Sequence, residues 1–213
     1  MIRVHILLLI TFLTAMVTGC ASHQTKPHTL ANNPNSILVL PPVNKTVEVD
    51  AANTVMAHIS QPLADRGYYV FPVAVIERFM RENGMHTADQ MHQIPLDKFG
   101  EHIAPDAILY ATINQWGQKY QVLQSKAVVD VNLLLVDAKT GERLWQRRAY
   151  KTYVPNSSNS NGIAGALLGA VIDQVVGSMV DHTDQLAKEA FDITMDSLPA
   201  GTRLIEHRNH NKK

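Results

Sequence analysis

One thiol dominates the chemistry open to this chain. Its 213 residues contain a single cysteine, Cys20, which closes the run Leu13-Thr14-Ala15-Met16-Val17-Thr18-Gly19-Cys20. Upstream, Arg3 supplies a positive start, and Ile6 to Val17 form an apolar stretch interrupted only by Thr11 and Thr14. A basic start, a short apolar middle and a small-residue exit are the layout of a secretory signal. The stretch is too short to span a bilayer, which needs about 20 apolar residues.

A plain signal ends in an Ala-x-Ala type site. Here Val17-Thr18-Gly19-Cys20 resembles a bacterial lipobox instead. That resemblance implies cleavage before Cys20, a diacylglycerol on its thiol and an acyl group on the new amino terminus. A buried or accidental cysteine is the competing reading, and the position at the end of a signal argues against it. One acyl chain binds membranes marginally, whereas two or more anchor durably, at about 0.8 kcal/mol per buried CH₂. A triacylated Cys20 would hold the chain on a membrane with no helix crossing it. In known lipoproteins Asp after the cysteine favours inner-membrane retention, so Ala21 implies the outer membrane, periplasmic side.

Other candidate chemistry is sparse. Ten histidines invite a metal site, which needs ligands clustered at short spacing with supporting partners. His86 and His92 flank a polar helix start, His207 and His210 lie near the end, and His23 and His28 lie just after Cys20. None has a cysteine partner or an HExxH arrangement, so solvated or locally satisfied rings are expected and no metal is assigned. There is no G-x-S-x-G nucleophile motif, and lipidation would consume the thiol. Asp130 sits on an otherwise apolar strand, where a buried carboxylate would hint at a site. Asn132 shares its side, so Asp130 is expected to face water. No enzyme activity and no cofactor beyond the covalent lipid are expected.

Lys and Arg number 19, as do Asp and Glu, for zero formal net charge. That balance offers nucleic acid no broad attractive field. With one cysteine there is no disulfide within the chain, and the fold must stand on its core alone.

The elements follow from periodicity. Ala21 to Ser36 is polar, with Pro27 and Pro34, and reads as a tether. Ile37 to Leu40 is a continuous apolar run stopped by Pro41-Pro42, as suits a strand covered on both faces. Asp50 can cap a helix carrying Val55, Ile59 and Leu63, which Pro62 should kink or restart and Gly67 should close. Tyr68 to Phe71 gives a second strand. Val75, Ile76, Phe79 and Met80 form a face of the next helix, ended by Gly84. Strand-helix-strand implies a parallel pair with a crossover. Thr87 to Gln90 reads as a capping box, and Pro95 opens another short helix with Phe99 inward. Ala107–Trp116, Val122–Asp137 and Glu142–Tyr153 should form an antiparallel meander, turning at Asp137 to Gly141. Thr183 to Leu198 reads as a helix with Leu186, Ala190 and Ile193 inward. The fold class is therefore α/β (α+β): a mixed sheet from a βαβα unit and a meander, with C-terminal helices.

Between meander and last helix stand Gly162, Gly165 and Gly169. Glycine costs about 1 kcal/mol against alanine inside a helix, so the spacing suggests close packing. A buried helix and an oligomer or partner contact are both consistent with it. A phosphate loop is not, because no parallel strand precedes it. Arg143, Arg147 and Arg148 form a basic patch, read as a solvated edge that discourages edge pairing.

The runs Ile37-Leu-Val-Leu-Pro-Pro, Pro62-Leu-Ala-Asp-Arg-Gly-Tyr-Tyr-Val-Phe-Pro-Val, Pro105-Asp-Ala-Ile-Leu-Tyr and Val136-Asp-Ala-Lys-Thr-Gly-Glu carry a family likeness. The chain resembles a family of Gram-negative outer-membrane lipoproteins of unknown function. Their domain is similar to the amino-terminal domain of the translocation protein TolB and to the curli-secretion lipoprotein. The resemblance implies a three-layer-like periplasmic αβ domain, a capacity to form a homodimer, and action through contact with other envelope proteins. It implies no catalytic residue. Unlike the curli pore protein, the chain has no pair of long alternating hairpins suited to crossing a membrane.

The expected organisation is a signal over 1–19, a tether over 20–36, the domain over 37–205 and a mobile tail over 206–213. The expected function is non-enzymatic: a lipid-anchored interaction or assembly module in envelope biogenesis, transport or secretion. The alternatives are an envelope hydrolase or ligand-binding protein with a pocket near His102, Asp106 or Asp130, and a lipoprotein activator of cell-wall synthesis.

Overall fold

A computed structural model describes residue 30 and residues 34–120, 125–154 and 183–210. The elements are β1 (Ser36–Val39), β2 (Val43–Asn44), α1 (Ala51–Asp65), β3 (Tyr69–Val70), α2 (Val73–Glu82), α3 (Ala88–His92), α4 (Leu96–His102), β4 (Ala107–Tyr120), β5 (Ser125–Asp137), β6 (Arg143–Tyr153), α5 (Thr183–Met195) and α6 (Thr202–His210).

The six strands form one mixed sheet in the order β3-β1-β4-β5-β6, with β2 beside β4. β1 is parallel to both β3 and β4, whereas β4, β5 and β6 are antiparallel. The expected parallel unit and meander are both present, joined because β4 lies beside β1. The two-residue β2 is an element that periodicity could not register, since so short a strand has no period.

The strands explain the layers. In β1, Ile37 and Val39 face a large core with Val55, Ile59 and Leu63 of α1 and Leu186, Ala190 and Phe191 of α5. Leu38 and Leu40 face the other way, into a smaller core with Ile76 and Met80 of α2, Met91 of α3 and Phe99 of α4. Both faces of β1 are covered, so its sequence is apolar without alternation. In β5, Ala127, Val129, Val131, Leu133 and Leu135 all join the large core.

Several local expectations need adjusting. α1 begins after Asp50, but that side chain makes no capping hydrogen bond, and the helix runs through Pro62 to Asp65. Proline removes only its own N–H from the ladder, and Pro62 and Leu63 lie buried beside the sheet, so packing carries the helix across it. Gly67 then takes φ +89°, the left-handed conformation suited to glycine after a helix. In α2 only Ile76 and Met80 are buried, while Val75 and Phe79 are exposed. Ile193 is also exposed, because the buried stripe of α5 centres on Ala187, Ala190 and Phe191 and Ile193 falls just past its edge. The capping box stands: Thr87 accepts from the Gln90 N–H, and the Gln90 side chain accepts from the Thr87 N–H. The first residues of the polar stretch after 205 are helical, within α6.

Candidate functional site

Cys20, Gly162, Gly165 and Gly169 lie outside the described residues. The remaining sequence candidates can be placed. Asp106 works in the fold: its Oδ2 accepts from the backbone N–H groups of Asn35 and Ser36 and from Ser36 Oγ, each at 3.0 Å. These bonds fix the start of β1 against the start of β4. His102 projects into solvent beside Glu101.

Asp130 corrects the expectation that it faces water. It is 2% exposed, and the Arg148 guanidinium covers it, Nε to Oδ1 at 2.7 Å and Nη2 to Oδ2 at 2.8 Å. The two hydrogen bonds from Arg148 hold its carboxyl below the ordinary carboxylate value, against the opposing pull of burial, with the arginine charge and Asn114 assisting. Asn132 does lie on the same side and is exposed. The difference is the neighbouring strand: Arg148 opposes Asn132 in register and reaches along to Asp130. A carboxylate capped this way by a permanent cation is a poor proton acceptor near neutral pH. Arg148 also lies over the Tyr150 ring, 4.7 Å from its centroid.

Among the described residues, no group of three or more His, Cys, Asp or Glu could hold a metal ion. His92 is partly buried and bonds through Nε2 to the Pro41 carbonyl at 2.9 Å. Burial lowers its pKa, against the raising effects of that bond and of Asp89. It serves to pin α3 to the segment after β1. Also among the described residues, no helix is long and apolar enough to cross a membrane.

The arginine patch divides. Arg148 belongs to Asp130, whereas Arg143 and Arg147 border a groove of about 760 Å³ between β6 and residues 196–200 after α5. Trp145 forms part of its floor and donates from Nε1 to Ser197 Oγ at 3.3 Å. Arg66, from the end of α1, and Arg208, from α6, complete a basic rim, with Asp196 as the acidic member. The Gly201 N–H donates to the Arg66 carbonyl at 2.7 Å, and Tyr68 donates to the Pro199 carbonyl at 2.8 Å, so the far wall is tied to the body of the domain. Burial pushes the Tyr68 hydroxyl up to about 12, against the lowering influence of Arg66, so it remains a donor.

Sequence reasoning found the arginines of β6 but not this groove. Arg66, Arg147 and Arg208 are far apart along the chain, and only the topology brings them together. The nearest sequence signal was the basic run on a terminal strand of a meander, which marks an edge without saying what faces it.

A smaller, mainly apolar hollow of about 280 Å³ lies between α2 and α4, bordered by Phe79, Met85, Ile94 and His102. It holds no converging acid and base.

Comparison with known proteins gives a consistent result. The family model described as "Putative lipoprotein GNA1162-like" matches residues 28–205. The chain is 38% identical over 159 residues to "Putative lipoprotein NMB1124/NMB1162" of Neisseria meningitidis serogroup B, covering 75% of this chain and 74% of that one. The crystal structure of lipoprotein GNA1162 from Neisseria meningitidis is similar at 39% identity with a TM-score of 0.56. That likeness covers 68% of this chain and 100% of the solved one.

Proposed function

The chain belongs to the GNA1162-like lipoprotein family, and from that premise we propose that it is an outer-membrane lipoprotein anchored through Cys20 on the periplasmic side. There it acts without catalysis, as an interaction or assembly module in envelope biogenesis, transport or secretion. The observation that carries the reading is the position of Cys20 at the end of the apolar leader in a chain of a lipoprotein family. Ten positions separate Cys20 from Leu30, which is buried in the large core (30 − 20). At about 3.5 Å per residue the connection reaches at most about 35 Å. That confines the domain near the surface and raises its effective concentration for neighbouring envelope proteins.

The carboxylates support the non-enzymatic part. Asp106 holds β1 and Asp130 is capped by Arg148, so neither is free to move protons. The edge of β6, unpaired among the described residues, and its groove are features of a surface that receives a partner.

The test is density-gradient fractionation of cell envelopes with protease treatment of intact cells and spheroplasts. Wild type is expected with the outer membrane and protected in intact cells, and Cys20→Ala is expected to leave that fraction. Wild type found free in a soluble fraction would contradict the reading.

A further inference from the structure

Five consecutive residues of β6, Arg143 to Arg147, border the large groove. Successive side chains of a regular strand point to opposite faces, as those of Trp145, Gln146 and Arg147 do in register with Leu135, Leu134 and Leu133, so a hollow that touches all three runs along the edge of the strand. That edge is open: among the described residues β6 pairs only with β5. An open edge presents a row of backbone donors and acceptors that can receive another strand.

The charge of the groove is one-sided. Arg66, Arg143, Arg147 and Arg208 face a single carboxylate, Asp196. None of the four is in an ion pair among the described residues. Arg143 Nη1 bonds to Gln146 Oε1 at 3.1 Å, and Arg147 Nη1 to the Gln146 carbonyl at 2.8 Å. Arg66 Nε is buried and has no hydrogen-bond partner among the described residues.

We propose that this groove receives an extended acidic segment of another envelope protein, added as a strand against β6 with its carboxylates on the arginines. The inference deepens the interaction role argued above and rests on it. Two other occupants fit less well. A second copy joined through β6 would set Arg143, Arg147, Arg148 and Lys151 against the same residues, and β6 has no acidic residue to offset them; like charges across strands destabilise the pairing. A single phosphate would have to satisfy Arg143 and Arg147, which stand on either side of the register shift at Leu135/Val136 and pair with residues of opposite cores, farther apart than one such group bridges.

The whole chain, purified in non-ionic detergent, is titrated by fluorescence anisotropy with a labelled peptide of alternating Glu and Val, with its Lys-for-Glu counterpart, and with the Glu peptide N-methylated along one edge. The acidic peptide is expected to bind at least tenfold more tightly than the lysine peptide. Arg143→Glu with Arg147→Glu is expected to reverse that order, and N-methylation is expected to weaken binding at least tenfold. Circular dichroism and a thermal melt check folding, and Arg143→Gln with Arg147→Gln carries the same comparison if charge reversal disturbs it. Equal binding of the two peptides, binding indifferent to the arginines, or indifference to N-methylation overturns the proposal. So does arginine-dependent binding of inorganic phosphate or phosphatidylglycerol vesicles without peptide binding. These readouts do not use the lipid, so failure here leaves Cys20 anchoring standing, and failure of anchoring leaves the groove to be judged on its own.

Discussion

The two faces of the sheet are built differently. One is covered along its length by α1 and α5, which meet Val39, Leu109, Val131, Leu133 and Ala149 in a continuous apolar layer. Among the described residues the other is covered by α2, α3 and α4 around β1 and the ends of β4 and β5 that pair near it, where Leu38, Ile108 and Val136 are buried. Farther along that second face lie Asp130 under Arg148, exposed Asn132 and exposed Tyr150. Among the described residues the domain is thus three layers deep at one end and two at the other. The larger buried cluster lies on the first face, and among the described residues the far end of the second face and the β6 edge carry no covering element.

Neighbouring residues on β5 provide the sharpest test of that contrast. Leu133 is fully buried and Asn132 exposed. Leu133→Ala is expected to cost about 2–5 kcal/mol, and Asn132→Ala to stay within about 0.5 kcal/mol, both by denaturant titration. Comparable losses would mean that the two faces are not unequal.

Next in size is the pair of glycines that follow α1 and α2. A Cβ on Gly67, at φ +89°, would lie 2.6 Å from Leu204 Cβ, whereas one on Gly84, at φ +86°, meets nothing within 4 Å. Gly84→Ala should cost about 1–2 kcal/mol for the backbone conformation alone. Gly67→Ala should cost more and loosen α6 from the groove wall, as faster amide exchange over 202–210 would report.

This contrast also marks how far the sequence could be read. Continuous Ile37 to Leu40 announced a strand covered on both faces, because burial dictates apolar periodicity. The hairpin at Asp137 to Gly141 was equally legible: the Asp137 carboxylate accepts from the Lys139 and Thr140 N–H groups and Gly141 takes φ +72°. The fate of Asp130 was not legible, because an arginine on the adjacent strand decides it and single-strand periodicity contains no cross-strand partner. Nor was the groove, whose arginines come from α1, β6 and α6. Pro62 misled for the opposite reason, since a local rule about the N–H yields where the surrounding side chains are well packed.

The pair of buried Asp130 and exposed Arg148 gives a pH signature. Asp130 titrates below its ordinary value of 3.8 when folded. Its contribution is fully present above that value and is lost as pH falls through the lower, folded one. Stability of the wild type should therefore drop more steeply below about pH 4 than that of Asp130→Asn. Parallel acid-unfolding curves would show that the pair contributes nothing. A gentler effect is expected near neutrality. Because burial lowers the His92 pKa, its contribution is present above 6.5 and lost as pH falls through the folded value. A slight loss of stability on mild acidification should vanish in His92→Gln, and an NMR titration of the ring should show the depressed midpoint.

The most direct measurement is the mass of the amino-terminal peptide of the mature protein isolated from envelopes. A peptide beginning at Cys20, carrying diacylglycerol on sulfur and an acyl group on nitrogen, is the expected result. An unmodified Cys20, or a chain that still begins at Met1, would contradict lipid anchoring and the tethered role built on it.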